Sequence, residues 1–376
     1  MIPVTTAFSD SYAEARVKFL EAAATAGLPV QSHVHPLKGR DGEDLAMDVA
    51  RDGALNAQNV LIISSACHGV EGYCGSGVQV FALHDADWLE KARAAGVAVL
   101  YIHALNPYGF SHLRRTTNEN VDLNRNFQDF TKPLPSSTVN AAYRALHALL
   151  LPEHWPPDAT NQSATLEFIA KNGQAAYQSA ITQGQHEFAD GLFYGGKSAT
   201  WSNQTLRGVL RQHCASAKQV AWIDLHTGLG PSGHGERIWA GKDDAEAIAR
   251  ARSWWGGGKN GNAATPITSI YDGSSTSAFL TGLMWNAIAD EAPQAKYTGI
   301  AMEYGTVPML EVLGAMRAEH WLNTHPAAST ELASKIKAQM LAAFYTDTDL
   351  WRGQIISQAR QAMFQAVDGL LALTAD

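Results

Sequence analysis

The sequence predicts an α/β fold, a mixed and mostly parallel twisted sheet with helices on both faces. Three observations predict it. Short apolar runs are bounded by polar or turn residues, as buried strands are. Helical patterns alternate with those runs, the sign of a sheet covered on both sides. Hydrophobic residues make up 46% of the 376-residue chain and charged ones 17%, below the usual charged share of about 25%, so a large core can form.

The elements follow in order. Ser9 to Ala26 reads as an amphipathic helix that starts at a Ser or Asp and stops at Gly27. Asn59–Ser65, Val97–His103, Gln219–Leu225 and Gly299–Glu303 read as buried strands. The stretch at about 133–198 is helical and polar, broken by the Pro-rich Leu151–Pro157, and reads as an insertion that caps the sheet. Trp254–Pro266 reads as a flexible loop from its glycines and asparagines. The C-terminal segment 307–376 is helical again, and the whole of 1–376 reads as a single domain.

A net charge of -8 without a basic run argues against nucleic acid or an anionic membrane as partner. Three cysteines, Cys67, Cys74 and Cys214, are too few and too odd for a disulfide framework and point to a reducing compartment. The N-terminus has no basic segment followed by an apolar stretch, and no apolar run is long enough to span a membrane. The expected location is cytoplasmic.

Four constellations carry chemistry. His68-Gly-Val-Glu71 follows directly on the strand ending at Ser65, and strand ends are where α/β sheets bind ligands. His226 follows another strand, in Ile223-Asp-Leu-His-Thr-Gly228. A catalytic zinc takes three protein ligands and leaves one position open, and His68, Glu71 and His226 would fill the three. The competing reading of His226 is a structural histidine. Asp224 is either an acceptor that orients a ligand or a structural strand-end residue. Glu303, at the end of the last apolar strand, would be the general base beside a bound water, against the alternative of a surface ion pair. The fourth constellation, Asn106 to Phe127, holds Arg114, Arg115 and Arg125 among several asparagines. It suits an anionic substrate group, since arginine grips carboxylates with two parallel hydrogen bonds; a solvated basic loop is the competing reading.

This set resembles the zinc carboxypeptidases of the carboxypeptidase A type, in a bacterial branch. The pieces also stand in that family's order between Ile62 and Gly305: His-x-x-Glu, Asn-Pro-x-Gly-Phe, Arg, Asp-Leu-Asn-Arg-Asn-Phe, His, Tyr, Glu. Val121–Phe127 is the most specific piece. The resemblance implies one catalytic domain of zinc carboxypeptidase-like fold and one zinc ion on His68, Glu71 and His226. Asn124 and Arg125 would hold the substrate's free carboxylate. Arg115 would stabilise the oxyanion, with Arg114 as the competing choice. Glu303 would be base and then acid, and Tyr271 would close over the substrate. The implied activity is a metallopeptidase, a hydrolase of small peptides. An N-acyl amino acid deacylase of the aspartoacylase kind would use the same site, and an inactive zinc-binding pseudoenzyme is the third reading. The insertion has no counterpart in the family's secreted members. The side-chain specificity position falls near Ala278, which is not acidic.

Overall fold

The computed structural model describes residues 1–256 and 266–373. Eight strands lie in one sheet: β1 (Val30–Lys38), β2 (Asp44–Asp52), β3 (Asn59–Ser65), β4 (Ala98–His103), β5 (Gln219–Ser232), β6 (Gly235–Trp239), β7 (Ile267–Thr268) and β8 (Lys296–Gly305). Their order across the sheet is β1-β2-β4-β3-β5-β8-β6-β7. The central β4-β3-β5-β8 pairs are parallel, whereas β1-β2, β2-β4 and β6-β8 are antiparallel. The mixed, mostly parallel sheet expected from the sequence is present.

The four apolar runs became the four central strands because each is buried on both faces. In β3, Leu61 and Ile63 pack into one hydrophobic cluster, and Val60 and Ile62 into another on the opposite face. Helices Tyr12–Thr25, Gly72–Leu83 and Asp349–Ala372 cover the first face; Trp201–Cys214 covers the second. The first helix begins one turn later than Ser9, because Ser11 caps it by accepting from Glu14 N.

Helices Ala141–Leu150, Ala159–Asn172 and Gln174–Thr182 fill half of the stretch read as an insertion. They share a third cluster with Met309–Thr324 and Thr330–Phe344, where Tyr143, Leu146 and Ile181 meet Leu313, Met316 and Phe344. One local expectation needs correcting. Trp254 and Trp255 end the helix Ala245–Trp255 and do not open a loop. Trp255 is fully buried and donates from Nε1 to the Ala362 carbonyl at 2.9 Å, which holds the helix to its last residue. The rest of that predicted loop, 257–265, lies outside the described residues. No helix among the described residues is long and apolar enough to cross a membrane.

His103, the last residue of β4, is buried with its ring stacked 4.5 Å from Phe19 and its Nε2 2.9 Å from Ser76 Oγ. Burial pulls its pKa down from 6.5 to about 4. Between those values the unfolded chain binds a proton that the folded chain refuses. Stability is therefore complete above pH 6.5 and falls as pH drops toward 4. This one group should remove about 2 kcal/mol by pH 5, at 1.36 kcal/mol per unit. Urea midpoints at pH 7 and pH 5, measured beside a His103→Asn variant that lacks the term, check it.

Candidate active site

The site forms where β3, β5 and β8 end. Beyond Ser65 the chain turns through Ala66, which adopts a left-handed φ of 57°, and delivers His68 and Glu71. This turn sits against the segment 106–116. Gly69 N donates to the Arg115 carbonyl at 3.1 Å and Val70 N to the Arg114 carbonyl at 2.8 Å. The Asn106-Pro-Tyr-Gly109 motif makes the other half of this contact: Asn106 Oδ1 accepts from Gly109 N at 2.9 Å, and its Nδ2 lies 3.3 Å from the Arg115 carbonyl. Gly69 is needed at the contact, since a Cβ there would lie 2.0 Å from the Gly109 carbonyl carbon. Gly69→Ala must push the backbones apart and is expected to destabilise the fold by about 1–3 kcal/mol. It should also displace His68 and weaken metal uptake, which a thermal melt with and without added zinc would read.

His226 on β5 and Glu303 on β8 are paired directly in register. His226 Nδ1 lies 3.3 Å from His68 Nδ1 and 3.0 Å from Glu71 Oε2, and His68 Nδ1 lies 2.8 Å from Glu71 Oε1. Both rings thus turn Nδ1 inward and Nε2 outward. His68 Nε2 meets Arg115 Nη2 at 2.7 Å and Asp122 Oδ1 at 3.3 Å. His226 Nε2 meets Asp224, whose other oxygen accepts from Ser64 Oγ at 2.5 Å; Ser64 Oγ accepts in turn from Trp222 Nε1 at 2.7 Å. A ligating histidine donates from its far ring nitrogen to an acceptor, and the carboxylates of Asp122 and Asp224 stand in that place for His68 and His226; Arg115 Nη2 is itself a donor.

His68, Glu71 and His226 form one group whose donor atoms lie within 4.8 Å of one another; Cys67, Asp224 and His226 form a second. A tetrahedral zinc with bonds of about 2.0–2.1 Å has ligand–ligand edges of about 3.4 Å. The first group comes near that spacing with two nitrogens and a carboxylate. It also opens on the cavity through His68 and His226, whereas Cys67 and Asp224 do not line it. The first group therefore fits a catalytic metal and the second fits a buried support.

The cavity encloses about 820 Å³ of empty space, its mouth included, and is lined by His68, Arg115, Asn124, Arg125, His226 and Glu303 among others. Glu303 accepts from Leu229 N at 3.0 Å. Burial, and then the charge of Glu71, push its carboxyl up to about 8. Burial also works on Glu71, but the charges and hydrogen bonds of His68 and His226 outweigh it and hold that carboxyl at about 2. The two carboxylates are thus driven apart, one kept ionised and the other poised near neutrality.

Asp122 Oδ2 accepts from Arg115 Nε at 2.9 Å, and its Oδ1 accepts from Asn124 N at 3.0 Å. Asn124 Oδ1 accepts from Met284 N at 3.0 Å. Arg125 donates to the Thr182 and Asn124 carbonyls, and its nearest carboxylate is Asp122 at 3.9 Å. Burial of this weakly neutralised cation pulls its pKa down to about 10, against the opposing charge of Asp122.

Two residues of the expected set are not brought to the cavity. Arg114 turns away to Glu319, with Nε 2.9 Å from Oε1, and Lys337 reaches the same carboxylate at 2.8 Å. Tyr271 donates its hydroxyl to the Gly241 carbonyl at 2.8 Å. Ala278 does line the cavity, between Ser277 and Leu280.

Sequence reasoning gave no role to three further residues. Asp122 stood inside the most specific motif and could have been read as the acid that organises it. Phe193 places its ring 5.0 Å from the Arg115 guanidinium and 5.4 Å from that of Arg125. It does so from a left-handed φ of 51°, a strained state for a bulky residue that no local pattern announces. Glu236 accepts from Thr276 N at 3.1 Å and from the Thr268 and Thr276 hydroxyls. It anchors the segment that carries Ile270 and Ala278 into the cavity.

A search of curated proteins by sequence gives no match. Thrombin activatable fibrinolysis inhibitor (TAFI) has a similar structure, with 13% identity and a TM-score of 0.53 over 96% of this chain and 74% of that one. Bovine thrombin-activatable fibrinolysis inhibitor in complex with tick carboxypeptidase inhibitor is similar at 11% identity and a TM-score of 0.50, over 97% and 98% of the two chains. Carboxypeptidase A from Helicoverpa armigera matches at 14% identity and a TM-score of 0.44, over 89% and 73%. At these identities the first two, with TM-scores of 0.53 and 0.50, speak for the fold alone, a carboxypeptidase-like α/β sheet. Residues 8–358 match the family described as "Protein of unknown function (DUF2817)", and the chain belongs to that family.

Proposed function

We propose that this chain is a single-zinc hydrolase of the metallocarboxypeptidase type, which cleaves the amide bond next to a free carboxylate in peptides or peptide-like molecules. One observation carries the reading. Two inward-facing Nδ1 atoms, a carboxylate, a second carboxylate raised toward neutrality and an under-neutralised arginine all meet at one cavity. His68, Glu71 and His226 would hold the metal. Bound there, zinc would act as a Lewis acid toward the scissile carbonyl and acidify water.

The chain's own residues would do the rest. Arg125, with Asn124 beside it, receives the substrate carboxylate and so fixes which amide is presented. Glu303 takes a proton from the attacking water and passes it to the leaving amine; a pKa near the working pH suits both transfers. Arg115 offers positive charge to the oxygen that becomes negative. Asp224 and Asp122 hold the two histidine rings in orientation. Residues 1–376 would act as one catalytic domain, with the segment at about 133–198 roofing the cavity.

The test is metal analysis of the purified protein, followed by hydrolysis of N-blocked dipeptides with a free or an amidated C-terminus. One equivalent of zinc and chelator-sensitive cleavage of the free acids alone are expected. Cleavage that survives complete zinc removal would sink the proposal, as would equal turnover of the amides. The deacylase reading shares every one of these residues. The apolar walls on both sides of the cavity favour it, as developed next.

A further inference from the structure

We propose that the substrates are N-acyl amino acids that are apolar on both sides of the scissile amide: an aliphatic acyl group joined to an apolar amino acid. The proposal rests on the reading of this site as a metal-dependent amide hydrolase, and concerns what the hydrolase accepts.

The cavity has two apolar walls that belong to separate hydrophobic clusters. The first includes Ile270, Leu280 and Trp285; the second includes Leu313, Met316 and Phe344. The first wall is tied to the carboxylate clamp, since Met284 N donates to Asn124 Oδ1 at 3.0 Å and Phe127 N to the Gly282 carbonyl at 3.0 Å. It therefore faces the side chain of the residue whose carboxylate Arg125 holds. The second wall is tied to the metal-ligand strand, where Thr227 Oγ1 donates to the Phe344 carbonyl at 2.6 Å. That leaves it for the acyl side of the bond.

Charge decides what kind of acyl group. Among the described residues Glu303 is the one carboxylate lining the cavity apart from the proposed metal ligands, and the guanidinium groups there are those of Arg115 and Arg125. A free α-ammonium would find no carboxylate except the catalytic base, and would meet two guanidinium groups. An N-blocked, uncharged acyl group meets only apolar wall. Depth points the same way. His68, His226 and Arg125 are 4%, 3% and 3% exposed, so a substrate has to enter the cavity to reach them.

The reaction balances without a further reagent. Water adds its oxygen to the acyl carbon, the C–N bond breaks, and the water's proton passes through Glu303 to the departing nitrogen. The products are a carboxylic acid and a free amino acid.

The experiment measures kcat/KM of the zinc-loaded full chain on acetyl-, butanoyl-, hexanoyl- and octanoyl-phenylalanine. Octanoyl-aspartate, the free dipeptide Leu-Phe and a ten-residue peptide ending in Phe are run beside them. Each methylene taken into the second wall should raise kcat/KM about fourfold until the lobe is full, the factor that about 0.8 kcal/mol corresponds to. Octanoyl-aspartate and Leu-Phe should each fall at least about 100-fold below octanoyl-phenylalanine. Met316→Trp, which fills the second lobe, should shift the chain-length optimum to shorter acyl groups. A flat chain-length profile, or faster turnover of Leu-Phe or the decapeptide, would overturn this proposal and leave the amide-hydrolase reading standing. No turnover of any of them by zinc-loaded protein would overturn both.

Discussion

Glu303→Gln should bind zinc as the parent does and lose about 10²–10⁴-fold in kcat, the range a positioned general base contributes. Glutamine keeps the shape and can keep the acceptor for Leu229 N, 3.0 Å away, but it cannot take a proton. The same variant should change stability in the opposite sense. In the metal-free protein the Glu303 carboxyl is raised to about 8, first by burial and then by Glu71, while in the unfolded chain it ionises near 4.5. The stability associated with this group is full below pH 4.5 and is lost as pH rises toward 8, about 3 kcal/mol of it by pH 7. Metal-free Glu303→Gln is free of that loss. Its melting temperature should therefore exceed the parent's at pH 7.5 and match it at pH 4.5. A slow variant with the parent's pH–stability profile would mean that Glu303 is not the group under strain.

Arg125→Gln should raise KM for free-acid substrates by about 10²–10³-fold with a smaller change in kcat. A buried, hydrogen-bonded charge pair that loses one partner costs about 2–5 kcal/mol. The diagnostic quantity is the preference for a free carboxylate over its amide, which should be large in the parent and close to one in the variant. A purely structural role for Arg125 would lower both substrates together and leave that ratio intact. Arg125→Lys should recover only part of the loss, because a single ammonium cannot grip both carboxylate oxygens in parallel. Folding should survive either change, since Arg125 bonds chiefly to the Thr182 and Asn124 carbonyls and its cation is poorly neutralised.

Half of the sheet was legible for a physical reason. β3, β4, β5 and β8 are the strands buried on both faces, so their sequences are continuous apolar runs. β1 is an edge strand with only His35 fully buried, and its Gln, Ser and His residues carry no strand signal. In β2, Asp48 is completely buried opposite Arg16, so an interior position reads as polar. β7 has two residues, too few for any period. At the site, His68, Glu71, His226 and Glu303 were readable because each directly follows or ends an apolar run. Arg114 and Arg115 are adjacent, and only the fold reveals that Glu319 claims the first. Tyr271 stood at a plausible place in the order, but its hydroxyl meets a carbonyl elsewhere. Phe193 acts from a backbone state that no residue pattern encodes.

The pairing of His226 with Glu303 across β5 and β8 uses the sheet as a ruler. Neighbouring strands stand about 4.7–4.9 Å apart wherever the ladder is intact. The backbone offset between the proposed metal ligand and the proposed proton carrier is then set by the ladder spacing. Arg125 has no such gauge; its guanidinium is moored to the end of the helix Gln174–Thr182. On the proposed reading, the sheet gauges the chemistry and a helix end gauges the choice of substrate.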